Sequence, residues 1–282
     1  MKFCIAIKII LLTITFSFCC QFYSNACVNN ETGVLKSDTS WKYLGRPSPR
    51  MTPLRFPPDS LLATSNWMWH GSPMFSPDLK EMYWGKIINY SIYQRISLAF
   101  TKYVNNQWTS MQTAPFIDTS YMNNNPFFSR TGDTLFFISG APGGFIFRVK
   151  RTPTGWTQPS AVPIPPAPQT IGNGLQFSIA KDGTLYFEAG DSVMYHDLYK
   201  SELINGTYQV PVNLGPVINT NYSSEICPYI DPDERFIMFA STRPGGYGYH
   251  VIYIRKRNSY GTWRTPINLG ATRNSSFDDA YP

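Results

Sequence analysis

Charge is scarce in this sequence, and the residues that usually carry chemistry are scarcer still: 15% of positions are charged, with five cysteines and three histidines among 282 residues. Cys4, Cys19 and Cys20 all fall in the first twenty positions, which leaves only Cys27 and Cys227 beyond them. Two separated cysteines exclude a disulfide framework and a cysteine-based metal set. The only run of basic residues is Arg255-Lys256-Arg257. Alternation along a strand divides it between two faces, so no nucleic-acid partner is expected. Long apolar runs are missing too. The one present, Ile9 to Cys20, has 12 residues, against about 20 for a membrane-spanning helix. No Gly-x-Ser-x-Gly elbow occurs, nucleophilic catalysis has no support, and no cofactor is predicted.

What is abundant is aromatic residues at 16%, with 23 prolines and 20 glycines. Together they read as many short strands joined by tight turns. The N-terminus carries Lys2 and Lys8, then the apolar run, then Ser24-Asn25-Ala26, with small residues where a signal peptidase needs them. Residues 1–26 are therefore expected to be a signal peptide cleaved after Ala26, the other reading being a short uncleaved anchor. Cleavage lowers the formal net charge of +6 by two. Cys27 would then lead the mature chain, where a bacterial lipoprotein is acylated. Ser-Asn-Ala is a poor lipobox, so lipidated and soluble forms both stay open. A lipid anchor would be the only tie to a membrane.

Internal repetition carries most of the information. Four segments align: 73–84, 126–137, 177–187 and 228–239. Their closing aromatics Trp84, Phe137, Phe187 and Phe239 are spaced by 53, 50 and 52 residues. Each segment reads as a hairpin, two apolar strands around a Pro-, Asp- or Gly-rich turn such as Lys181-Asp182-Gly183-Thr184. A third strand, an aromatic at Trp108, Trp156, Tyr208 or Trp263, and a proline-containing exit complete the unit. Val210-Pro-Val-Asn-Leu-Gly215 and Thr265-Pro-Ile-Asn-Leu-Gly270 are nearly the same peptide. Four short strands per unit predict an all-β β-propeller, its aromatics packed between blades. Four full repeats and the start of a fifth are present, because Asp278-Asp-Ala-Tyr-Pro282 matches Ser224-Glu-Ile-Cys-Pro228. A ring of five blades is expected. Either residues 41–62 complete the last blade or the chain is cut short, and the missing hairpin favours the second. The domains are then 1–26, a lead segment over 27–66, and the propeller over 67–282.

Ser76-Pro77-Asp78-Leu79-Lys80 and Asp231-Pro232-Asp233-Glu234-Arg235 resemble the Ser-Pro-Asp-Gly-Lys turn of the WD-repeat-like units in TolB-like periplasmic propellers. Leu79 stands at the glycine position in the first, and the other two units keep only the turn and the aromatics. Ser241-Thr-Arg-Pro-Gly-Gly-Tyr-Gly248 is similar to a loop of that family, and Ser139-Gly-Ala-Pro-Gly-Gly144 is a weaker copy. The resemblance covers roughly residues 43 to 282 and implies an exported bacterial protein of the periplasm, outer membrane or cell surface, with no reaction attached.

Propellers bind at the channel mouth, where inner strands begin. There the sequence places His70, Ser72, Asn124, Gln176, Glu225 and Asp279, a polar and somewhat acidic lining. A second candidate surface is the Gly-rich loop with Arg243, Tyr247 and Tyr249. His70, His196 and His250 fall at different strand positions by spacing, so a shared metal site is not expected. Asn-x-Ser/Thr triplets at Asn30, Asn89, Asn205, Asn221 and Asn274 read as coincidence in a chain rich in these residues. The favoured function is a non-enzymatic envelope module that binds a protein or a glycan. The alternative is a carbohydrate-active enzyme, a metal-assisted lyase or a hydrolase.

Overall fold

A computed structural model of the chain describes residues 69–89, 95–166, 176–190, 195–246 and 248–282. The expected signal peptide and lead segment, Cys27, the side chains of His70 and Ser72, and Tyr247 lie outside the described residues. No helix occurs among those described. Four antiparallel sheets follow one another along the chain, arranged as a four-bladed β-propeller.

Blade 1 is β1 (Trp69–Phe75), β2 (Glu81–Asn89), β3 (Arg95–Val104) and β4 (Gln112–Thr113). Blade 2 is β5 (Asn123–Phe128), β6 (Thr134–Ser139), β7 (Ile146–Thr152) and β8 (Ser160–Ala161). Blade 3 is β9 (Phe177–Ile179), β10 (Leu185–Gly190), β11 (His196–Ser201) and β12 (Val212–Asn213). Blade 4 is β13 (Glu225–Ile230), β14 (Phe236–Ser241), β15 (Val251–Lys256) and β16 (Ile267–Asn268). Each blade is a meander in which every strand pairs with the one before it.

The turns between first and second strands show why the repeat has its composition. Leu79, Gly132, Gly183 and Glu234 occupy the same turn position, with φ of 60°, 73°, 92° and 54°. That left-handed region is free for glycine and strained for leucine or glutamate. The residue opening each turn accepts back into it: Leu79 N–H donates to the Ser76 carbonyl, Gly132 to Ser129, Gly183 to Ala180 and Glu234 to Asp231.

Successive residues of one strand point to opposite faces, so the sheets of blades 2 and 3 are packed on both sides. In blade 3, Phe187 and Tyr199 pack with Ile138 and Ile146 of blade 2. Their neighbours Tyr186 and Leu198 pack with Ile237, Phe239 and Tyr253 of blade 4. Tyr83, Leu98 and Phe100 meet Phe137, Phe147 and Val149 between blades 1 and 2. Each buried aromatic contributes ~1.5–3 kcal/mol by leaving water. The repeat aromatics of blades 2 to 4 form the blade-to-blade core, while Trp84 and Trp108 pack in a cluster within blade 1.

The described residues hold four blades where the repeats led us to expect a ring of five. The segment after the fourth forms no strand, yet it takes the path of an incoming inner strand. Asp279 holds Ser275 as Glu225 holds Thr220. Tyr281 precedes Pro282 at φ 64°, as Cys227 precedes Pro228 at φ 53°. The correspondence read between 278–282 and 224–228 is thus seen in three dimensions.

Candidate functional site

In a four-stranded meander the first strand starts, the second ends, the third starts and the fourth ends at the same edge of the blade. Asn124, Gln176, Glu225, Arg243, Tyr249 and Asp279, the sequence-selected residues whose side chains are described, therefore lie at one end of the propeller, here called the entry end. Two kinds of loop cross it, those linking second to third strands and those linking one blade to the next.

The interblade loops are built by a motif hidden in the duplicated exit peptide. Asn213 Oδ1 accepts from the Gly215 amide at 2.8 Å and from Asn219 Nδ2 at 2.7 Å. Asn268 does the same with Gly270 at 2.7 Å and Asn274 at 2.8 Å. The second asparagine then grips the third strand on both sides. Asn219 accepts from Leu198 N–H and donates to its carbonyl, at 2.8 and 2.9 Å. Asn274 repeats this on Ile252 at 2.9 and 3.1 Å. The unit is Asn-Leu-Gly-x-x-x-Asn, and it makes Asn274 a buried structural residue, not a modification site.

The polar entry residues are engaged in the same work. Glu225 is buried and accepts from the Thr220 amide (3.0 Å), the Thr220 hydroxyl (3.2 Å) and Ser241 Oγ (2.7 Å). Burial raises its pKa, against the hydrogen bonds of Ser241 and Thr220 and the charge of Arg243. Asp279 is buried and bound to both the amide and the hydroxyl of Ser275. In blade 2 this role falls to Asn123, whose Nδ2 donates to the Asp118 and Tyr121 carbonyls at 2.9 Å each. Asn124, the residue selected from sequence, is the next one along β5 and is buried. Gln176 is half-buried, and its carbonyl accepts from the Glu188 amide at 3.2 Å.

Arg243 turns inward. Its side chain is 14% exposed, and the guanidinium lies 3.3 Å from Glu225 Oε1, donates to the Ile218 carbonyl and sits 4.8 Å from the Tyr253 ring centre. It clamps the loop to the blade, so of the described residues called for this contact surface Tyr249 is the exposed one. The glycines around it are equally structural. A Cβ on Gly246 would stand 2.2 Å from Val251, and one on Gly248 would stand 1.8 Å from the Phe277 carbonyl oxygen.

His196 and His250 correct the sequence reading. Spacing put them at different strand positions, but the asparagine grips fix Leu198 and Ile252 as equivalent, so both histidines precede their grip by two residues. The His196 amide donates to Ser224 Oγ at 3.2 Å, and the His250 amide to Asp278 Oδ1 at 3.1 Å. His250 Nδ1 also meets Asp278 Oδ1 at 2.6 Å. That bond, with the charge of a protonated His250, holds the Asp278 carboxyl below its ordinary pKa. Among the described residues, no group of three His, Cys, Asp or Glu could hold a metal ion.

Behind this rim lies a buried contact between blades. Glu188 Oε2 accepts the Cys227 amide at 2.6 Å, at the bulge where β13 bends. Burial pushes the Cys227 thiol well above its ordinary pKa. Such a thiol is a packing group and not a nucleophile.

The residues missed from sequence are three exposed aromatics, Tyr195, Tyr222 and Phe277, which join the sequence-selected Tyr249. Tyr195, Tyr222, Tyr249 and Phe277 are 56%, 69%, 65% and 62% exposed. Tyr195 and Tyr249 directly precede the equivalent histidines. Tyr222 and Phe277 lie on the interblade loops after Asn219 and Asn274. The entry end therefore carries the same aromatic pair in two successive blades. The repeated dipeptides Tyr195-His196 and Tyr249-His250, 54 residues apart, are the sequence signal that could have found them.

No protein-family model matches the chain, and no curated protein matches it. Several solved structures follow a similar path. A Mycobacterium tuberculosis puromycin-hydrolyzing peptidase is 15% identical, with a TM-score of 0.44, over 70% of this chain and 29% of its own. A protein assigned as TolB from Agrobacterium tumefaciens is 11% identical, with a TM-score of 0.45, over 74% of this chain and 69% of its own. The periplasmic gluconolactonase of Pseudomonas aeruginosa is 13% identical, with a TM-score of 0.42, over 70% of this chain and 56% of its own. The chain thus spans under a third of the peptidase's length. These resemblances concern fold alone, and the propeller assignment stands on the four sheets themselves.

Proposed function

We propose that this chain is an exported, non-enzymatic binding module that takes a protein or glycan partner at the entry end of the propeller. The observation that carries the reading is the repeated exposed pair, Tyr195 with Tyr222 and Tyr249 with Phe277. Large aromatics on a rigid rim lose little conformational freedom on binding and offer large contact area. The acids beneath them support the reading by their engagement. Glu225 and Asp279 hold backbone and hydroxyl groups of their own loops, which makes the rim a preformed surface. Export rests on the N-terminal sequence and is part of the proposal.

The test is retention of envelope proteins and of envelope glycans by immobilised protein, compared with a Tyr195→Ala/Tyr249→Ala variant of unchanged thermal midpoint. Loss of a ligand in the variant supports the reading. Identical retention of every protein and glycan by both would overturn it. Turnover of an oligosaccharide by the purified chain would establish the enzymatic alternative.

A further inference from the structure

We infer that the partner presents a cationic segment, and that a lysine or arginine side chain of a protein docks between Tyr249, Phe277 and Asp278. This rests on the binding-module reading and specifies the partner's chemistry. Three observations converge on it.

The first is juxtaposition. Gly248 lies against the Phe277 backbone so closely that a Cβ there would meet the carbonyl oxygen at 1.8 Å. The residues that follow each, Tyr249 and Asp278, are thereby brought to the two sides of one contact. His250 joins them, with its ring edge-on to Tyr249 at 4.8 Å and its Nδ1 on Asp278 Oδ1 at 2.6 Å. Both His250 contacts fall on Oδ1, and the side chain is 50% exposed, so Oδ2 takes no part in them. Two open aromatic rings beside a fixed carboxylate form a receptor for an organic cation.

The second is local charge. Around blades 3 and 4 the entry end holds four acids: Glu188, Glu225 and Asp279 are buried, and Asp278, half-exposed and bonded to His250, is the one that faces outward. Arg243 is turned inward onto Glu225, and Arg273 lies against the Thr272 carbonyl. Counted formally, these four acids outnumber the two arginines in a protein whose formal net charge is +6. A cationic probe that binds does so against the overall field, so its retention reports this sector.

The third is rigidity. The loop bearing Phe277 and Asp278 is fixed at its start by Asn274 on Ile252 and at its end by Asp279 on Ser275. The loop bearing Tyr249 is fixed by Arg243 and by the close-packed Gly246 and Gly248. The site needs no rearrangement to receive its ligand.

The experiment uses the full chain and three fluorescent probes: a lysine- and arginine-rich peptide, the same peptide with glutamate at the basic positions, and a neutral oligosaccharide. Binding is read by anisotropy for the wild type, Asp278→Asn, Phe277→Ala and Tyr249→Ala. Asparagine keeps the acceptor for the His250 amide, so the variant should fold, and thermal midpoints check this. We expect only the basic peptide to bind, more tightly as salt is lowered, with affinity weakened up to about five-fold in Asp278→Asn. Equal binding of the basic peptide by wild type and Asp278→Asn overturns the cationic docking site. If the oligosaccharide binds instead and Tyr249→Ala abolishes it, the cationic partner is wrong while the binding-module reading survives. If no probe binds and the envelope retention test also shows no dependence on Tyr195 and Tyr249, both readings fall.

Discussion

The Glu188 carboxylate accepts the amide of Cys227 across the boundary between blades 3 and 4, at 2.6 Å. Cys227 is at positive φ, in the bulge that interrupts pairing between β13 and β14, so its N–H has left the ladder and would otherwise be buried without a ladder partner. Glu188→Ala is expected to destabilise by about 2–3 kcal/mol, the scale for losing a charged acceptor from a buried donor. Glu188→Gln should cost less. Chemical denaturation with both variants measures this. The Cys227 thiol should also resist a thiol reagent until the protein unfolds, and fast native-state labelling would refute its placement.

Asn219 and Asn274 each replace a strand partner for one residue of the third strand. Alanine at either position removes two buried backbone bonds and the link to Asn213 or Asn268. About 2–4 kcal/mol should be lost at each site. The aspartate variants should be no better, since a carboxylate cannot donate to the Leu198 or Ile252 carbonyl. Equilibrium unfolding of Asn219→Ala, Asn219→Asp and the matching Asn274 pair tests the equivalence of the two loops.

Leu79 and Glu234 share a strained turn position but differ in what they touch. Leu79→Gly relieves about 1–2 kcal/mol of left-handed strain against a glycine cost of about 0.5–1 kcal/mol. A small net stabilisation is expected. Glu234 also accepts from Tyr186 Oη of blade 3 at 2.6 Å and pairs with Arg257 at 2.7 Å. Glu234→Gly should therefore destabilise despite the same relief of strain. Opposite signs in the two thermal midpoints are the expected result.

Asp278 sets a pH dependence. Its hydrogen bond from His250 lowers its folded pKa below the unfolded one. The contribution is complete above the unfolded carboxylate range and is lost as pH falls through the folded value. Asp278→Asn should flatten this acid limb by lowering stability near neutral pH, while the two proteins converge in acid. Thermal midpoints measured from neutral to acidic pH compare the two proteins.

The hairpins of this chain were legible because they depend on local rules. Asp182-Gly183 can only be a tight turn, and apolar pairs such as Tyr186-Phe187 must be buried on both sides of a strand. The duplicated Asn-Leu-Gly peptide was legible as repetition but not as structure, because the asparagine that completes it lies four residues beyond the glycine, outside the repeated text. The entry residues were found as polar positions, yet their partners could not be. Whether Glu225 faces solvent or Ser241 depends on register across a sheet, and sequence spacing does not report register once bulges intervene. The same bulges and loops of unequal length hid the equivalence of His196 and His250.

Taken alone, the order of residues determined the strands, the turns and the repeat, since these follow from periodicity and backbone conformation within about 50 residues. Tertiary structure decided which side chains were left over for function. Buried polar groups must be satisfied wherever the fold brings donors and acceptors together, and that demand absorbed Arg243, Glu225 and Asp279 while leaving Tyr249 and Phe277 at the surface.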